Sequence, residues 1–180
     1  MLVFSTTFVA VGCVNNRKPP VLSVPPVDIS RLVKTVAFGA RVNDGRNPEV
    51  SYQVDNDDVE VRAVISGIVT GVGKLGFGTS AFIQIQEFRI CQWQVSQSDI
   101  FNPKVNIGDR VVAGQILGTV GLNGLGTPGT GVSVLNRQGD DEVYYCPISF
   151  ATDEFIRQHG VKSLTCCLVE TLFIRDSDRK

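Results

Sequence analysis

The chain has 180 residues, 43% hydrophobic and 19% charged, with a formal net charge of −1. A balance so near zero, with Lys and Arg scattered and a pI near 5.8, gives no reason to expect nucleic acid as a partner. The length suffices for one well-cored domain, and 18 Gly and 8 Pro set among many Val and Ile tilt the class to all-β.

Residues 1–12 (MLVFSTTFVAVG) are apolar and uncharged and run into Cys13, the general form of a signal-peptide core. Ala10, Val11, Gly12 and Cys13 resemble the lipobox of bacterial lipoproteins, which implies diacylation of Cys13 and a lipid anchor to a membrane. No Lys or Arg precedes the stretch, and an ordinary first strand ending in Gly-Cys is the alternative. No apolar run approaches the ~20 residues a membrane-spanning helix needs. Four cysteines remain, Cys91, Cys146, Cys166 and Cys167, which an exported protein would oxidise or bury as inert thiols. The adjacent Cys166 and Cys167 should not bridge to each other, because vicinal geometry is strained. Residues 15–26 (NNRKPPVLSVPP) predict an extended, weakly structured tether, and residues 27–34 one or two helical turns.

The folded part then opens at residues 36–42. Residues 43–48 are a loop signal, and residues 50–54 alternate as a strand with one exposed face. Residues 55–58 (DNDD) lack the Gly and terminal Glu of a calcium loop and read as an acidic turn. Further strands are expected at residues 59–63, 66–72, 82–85 and 89–95, followed by a loop over 96–103. Residues 104–121 (KVNIGDRVVAGQILGTVG) read as strand, tight turn, strand, with Gly108 and Gly114 where the chain must turn sharply. The glycine-rich residues 122–131 predict a mobile loop. They lack the Lys-Ser/Thr of a phosphate-binding loop, no dinucleotide fingerprint can be drawn, and no cofactor is implied. Strands at 132–135 and 142–146 complete the set. Thr152 suits the N-cap of a short helix over 150–159 that Gly160 can close, and residues 164–174 form an apolar, β-prone tail before the charged residues 176–180.

Residues 61–73 (VRAVISGIVTGVG) and 105–121 share one grammar. Together with the intervening apolar strand and the VSVL that follows, they resemble the core of the peptidase family M23 domain, of LytM or lysostaphin type, over residues 38–147. Val61, Ala63, Gly67 and Val69 match its first half-motif. Val105, Gly108, Asp109, Val111, Gly114, Gln115, Leu117, Gly118, Val120 and Gly121 match the second. The resemblance implies a β-sandwich or barrel-sandwich hybrid of hairpins with a short C-terminal helix. The expected division is a lipoprotein signal over 1–13, a tether and short helix over 14–34, the β domain over 35–150, and helix and tail over 151–180.

The family's activity needs zinc, and there the residues depart from the pattern. Active members hold Zn²⁺ with a His and an Asp ahead of the first half-motif and with the last His of a His-x-His strand. Those ligands keep the ion open-sided while it lowers the pKa of a bound water. Here Gly131 and Ser133 stand at the two His-x-His positions, Ser51 is the nearest match for the Asp, and the place of a further catalytic His falls near Val95 or Ser96. The single histidine, His159, is expected to face solvent at the end of the helix, where it suits the dipole. Cys91, Asp55, Asp57 and Glu87 do not gather as substitute ligands by their spacing. The sequence also lacks the marks of related hybrids that carry biotin, lipoate or a phosphoryl group, since Lys74 has no flanking Met and no His lies in the core motif.

The expectation is a degenerate, non-catalytic M23-like domain of an exported, lipid-anchored protein of the cell envelope, binding peptidoglycan or an envelope protein, with no metal. The alternatives are a zinc metallopeptidase with atypical ligands and a purely structural assembly component. The binding surface would be the groove that houses zinc in active members, bounded by Gln84, Gln86, Gln92, Trp93, Thr130, Gly131 and Ser133. Trp93 and the glutamines suit stacking on and hydrogen bonding to sugar or peptide, unless Trp93 belongs to the core.

Overall fold

A computed structural model describes residues 18–42, 45–75, 80–87, 92–123, 126–138, 141–159 and 166–174. Cys13, Cys91, Gly160 and the charged end at 176–180 lie outside these residues. Apolar side chains at every second position give a strand one dry face, and residues 50–54 and 81–86 show that alternation. In order they are β1 (Leu32–Val36), β2 (Arg41–Val42), β3 (Gly45–Arg46), β4 (Val50–Val54), β5 (Glu60–Arg62), β6 (Gly67–Lys74) and β7 (Ala81–Gln86). There follow β8 (Trp93–Phe101), β9 (Arg110–Val111), β10 (Ile116–Leu122), β11 (Pro128–Gln138), β12 (Asp141–Tyr145), the helix α1 (Asp153–His159) and β13 (Thr171–Ile174).

The ladders between these strands are antiparallel, and β11 organises them. One of its edges takes β4 and then β12, and the other takes β10 and then β8. From β8 the sheet continues through β7 to β6 and β9, while β5 lies on β10, β1 on β4 and β13 on β12. Val50 and Tyr52 of β4, Ile83 and Ile85 of β7, Val95 of β8, Leu117 of β10 and Val132 and Val134 of β11 meet in one buried cluster. The fold is thus mostly β with one short C-terminal helix, as the sequence pattern predicts.

The two half-motifs are zipped together by their turns. Gly108 and Gly114 have φ of +94° and +87°, which a Cβ would oppose. In those conformations Gly108 donates to Val69 O and Gly114 to Ala63 O, each at 2.8 Å, while Ala63 donates to Gln115 O at 2.8 Å. Asp109 and Gln115 close their own turns through Oδ2 to Asn106 N (2.8 Å) and Oε1 to Val112 N (3.2 Å).

Several expectations need correction. The Pro-rich segment is extended but docked: Leu22 is fully buried and donates to Phe150 O (2.8 Å), Ser23 to Val64 O (3.0 Å), and Val27 is buried too. Proline does fix the extended backbone, but Leu22 and Val27 give that backbone apolar anchors. The next residues form a single 3-10 turn, Ile29–Arg31, whose Arg31 holds the acidic turn through Asp55 (2.7 Å) and Asp58 (3.0 Å). Residues 96–101, expected as loop, belong to β8; Ser96 and Ser98 share its partly exposed face, and fully buried Gln97 occupies the core face. Residues 128–131, expected in a mobile loop, are the first part of β11, because β4 lies along one edge and β10 and then β8 along the other. Finally, Thr152 caps α1 by accepting from Phe155 N (3.1 Å), but His159 is buried, one turn beyond buried Phe155 on the same face.

Gln97 shows how a polar residue can serve as core. Its Oε1 accepts from Val64 N (3.1 Å) and its Nε2 donates to Arg62 O (2.9 Å), so the side chain acts as a piece of strand. Gln97→Leu leaves both backbone groups unpaired and should cost about 2 kcal/mol. Urea unfolding at neutral pH measures this, and a change under about 0.5 kcal/mol would contradict the role given to the amide.

Cys146 and Cys167 form a disulfide with Cα atoms 5.8 Å apart, and Cys166 is a buried thiol, so the adjacent pair divides its work.

Candidate functional site

Cross-strand register brings together Gly131, Ser133 and Ser51, the positions that the sequence resemblance sets against metal ligands. Gly131 on β11 lies opposite Ser51 on β4 and opposite Ser98 on β8. Ser133 lies opposite Ser96, which in turn lies opposite Gln84 on β7. Paired residues share a face, and these stand on the face opposite the Val50, Val132 and Gln97 row.

That face is occupied at its centre by Glu49, immediately ahead of β4. A Cβ placed on Gly131 would fall on the Glu49 carboxyl carbon and both its oxygens, so only glycine leaves room for this side chain. Ser51 Oγ donates to Glu49 Oε1 (2.9 Å) and Ser98 Oγ to Oε2 (2.7 Å), and buried Asn47 donates to Ser51 Oγ (3.2 Å). Ser98 Oγ also lies 3.4 Å from Asp99 Oδ2. Asp99 has a φ of 53°, a left-handed conformation that Asp tolerates better than most residues.

Burial, with a smaller contribution from neighbouring Asp99, raises the Glu49 pKa to about 7, and the two serine hydroxyls only partly offset it. Burial likewise raises Asp99 to about 6 against its hydrogen bond with Ser98. The result is a pair of carboxyls joined through Ser98 that hold protons well above the ordinary carboxylate range. Near neutral pH this is a hydrogen-bonding cluster.

Zinc does not fit it. Gly131 has no donor, Ser51, Ser96, Ser98 and Ser133 offer neutral hydroxyls, and the Glu49 carboxyl is already engaged. Among the described residues, no three His, Cys, Asp or Glu side chains gather to hold a metal ion.

The residues expected to bound the groove are divided between locations. Gly131 and Ser133 lie on the Glu49 face, both buried. Gln84 shares that face on β7 but lies across Gly71, and Gln86 lies farther along the same strand, opposite Ile68. Gln92 is exposed just before β8, its carbonyl accepting from Arg137 N (3.0 Å). Thr130 faces the core opposite Tyr52 and donates to Ser98 O (2.6 Å). Trp93, two residues from buried Val95 on the same side of β8, packs on Tyr145 and Phe150 at ring distances of 5.0 and 5.4 Å. It belongs to the edge of the core.

The sequence reading missed Glu49, Ser98 and Asp99. Glu49 could have been found from its parity, two residues ahead of Ser51. Ser98 and Asp99 lay in a polar run that resembled a loop.

No protein-family model and no curated protein matches the chain. Solved structures do. The antimicrobial peptidase lysostaphin from Staphylococcus simulans aligns at 18% identity and a TM-score of 0.58, over 77% of this chain and 59% of its own. A variant of the catalytic domain of the prophage-encoded M23 protein EnpA from Enterococcus faecalis aligns at 21% identity and a TM-score of 0.51, over 61% of this chain and 84% of its own. A chain of the SpoIIQ–SpoIIIAH pore forming complex aligns at 16% identity and a TM-score of 0.57, over 81% of this chain and 96% of its own. The match thus spans less than two thirds of the lysostaphin chain. The protein has the fold of M23 peptidase domains.

Proposed function

We propose that this is a non-catalytic M23-like domain of the cell envelope that binds through the face around Gly131, taking peptidoglycan peptide or an envelope protein as its partner. One observation carries the reading: the Glu49 carboxyl, held by Ser51 and Ser98, fills the space over Gly131 where a ligand-bearing side chain would have to stand. A disulfide between Cys146 and Cys167 supports residence outside the reducing cytoplasm. Cys13 would provide the lipid anchor.

A role in assembly with another protein is the second reading. It is favoured by the similarity to a chain of a pore forming complex over 81% of this chain, and by the turning of Trp93 away from the face on which a sugar would stack. The test is metal analysis of purified protein together with digestion of purified peptidoglycan and co-sedimentation with it. The expected result is co-sedimentation, less than about a tenth of an equivalent of zinc and no cleaved cross-links. About one equivalent of zinc with cross-link cleavage would overturn the non-catalytic reading. Absence of co-sedimentation would leave the protein partner as the ligand.

A further inference from the structure

The opposite side of β4 carries a second arrangement, which does not depend on the proposed function. Tyr52, 1% exposed, points away from the Gly131 face and meets His159 of α1, 5% exposed, edge-on with ring centres 5.3 Å apart. His159 also stacks on Phe155 at 5.7 Å, with ring planes 12° apart. Tyr52 Oη and both ring nitrogens of His159 are buried and have no hydrogen-bond partner among the described residues.

Among the described residues, the surroundings offer no charge to balance an imidazolium. From β4 the titratable group is Tyr52 itself, which burial holds well above its ordinary range. From the segment before β13 it is the Cys166 thiol, pushed up by burial and donating toward Thr35 Oγ1 (3.9 Å), with Thr35 opposite Tyr52 on β1. Lys34 of β1 is exposed and pairs with Gln53, on the other face from Tyr52. On α1 itself Asp153, Glu154 and Arg157 are exposed, the last two paired with each other, and Glu170 is exposed as well. Burial is the cause of the lowered His159 pKa.

We propose that His159 is an acid-released latch: as a neutral ring it seats α1 against β4, and protonation lifts the helix from it. A charge in this place would be removed from water with no partner among the described residues, so the proton is taken up by the lifted form. The sign follows. With the seated pKa below the ordinary 6.5, the lifted form binds more protons at low pH, and seating weakens as pH falls through 6.5. Release is bounded on both sides of the helix, because Thr152 N donates to Leu22 O (2.8 Å) before it and the Cys146–Cys167 disulfide holds the chain after it. Acid therefore opens a flap and does not detach the C-terminal segment.

His159 is the single histidine of the chain, so its imidazole resonances in a nuclear magnetic resonance titration are unambiguous. The full chain should show an imidazole midpoint below 6.5. Amide exchange over residues 155–159, corrected for its intrinsic pH dependence, should speed up by up to about tenfold per pH unit below that value. His159→Phe should keep the amides protected at pH 5. A midpoint at or above 6.5, acid-insensitive protection in the parent, or acid opening in His159→Phe equal to the parent's would each overturn the latch. Should the variant fail to fold, the parent's midpoint and exchange profile decide alone.

Discussion

Glu49→Gln is expected to stabilise the protein at pH 8 by at most about 3 kcal/mol and to change it little at pH 4. The folded state holds the Glu49 proton up to about pH 7, whereas the unfolded chain releases it near 4.5. Between those values the folded state binds more protons, so stability falls as pH rises and the loss is complete above pH 7. The 2.5-unit difference, at about 1.36 kcal/mol per unit, sets the ceiling; partial exposure of Glu49 lowers it. An amide in the same place accepts from one serine and donates to the other, so the Ser51 and Ser98 bonds have a neutral counterpart. Urea unfolding from pH 4 to 8 tests this. Parallel profiles for parent and variant would mean that the carboxyl over Gly131 is ionised in the folded protein, and the account of the site as a proton-holding cluster would fail.

Loss of the disulfide should cost about as much. The bridge joins residues 21 apart in sequence, and closing a loop of that size removes about 3 kcal/mol of chain entropy from the unfolded state. Changing Cys146 and Cys167 together to Ser should lower the melting temperature by roughly 6–12 °C. Reductant should lower the parent's melting temperature to a similar value while leaving the double variant unaffected. A parent indifferent to reductant would show that the bridge is not formed in solution.

The fold was legible because its turns need glycine. Gly108 and Gly114 take positive φ, and the hydrogen bonds they make there join the two half-motifs. The site was legible only in outline. Gly131, Ser133 and Ser51 could be named as the places where ligands were missing, but the residue that fills the gap comes from just before β4. Spacing cannot show this, because Glu49 reaches Gly131 across a strand pair and not along the chain. Two polar or Pro-rich stretches were misjudged for a related reason. Gln97 is buried because its amide completes the hydrogen bonds of Arg62 and Val64, and Leu22 because it pairs with Phe150 and Thr152. Both partners lie far away in sequence. His159 was placed in solvent on dipole grounds, which carry less weight than the two aromatic rings that enclose it.

The docked N-terminal segment has a mechanical consequence. Residues 18–28, if free and fully extended, would reach up to roughly 40 Å. Laid against the domain, they contribute little of that length as slack. Tension applied ahead of Lys18 would be carried by the backbone bonds of Leu22 to Phe150 and Thr152 and of Ser23 to Val64. It would pass into the start of α1 and the loop after β5, leaving the strands that frame Gly131 out of the direct line of force. A domain strung in this way can be pulled on through its leading segment while the face around Gly131 keeps its shape.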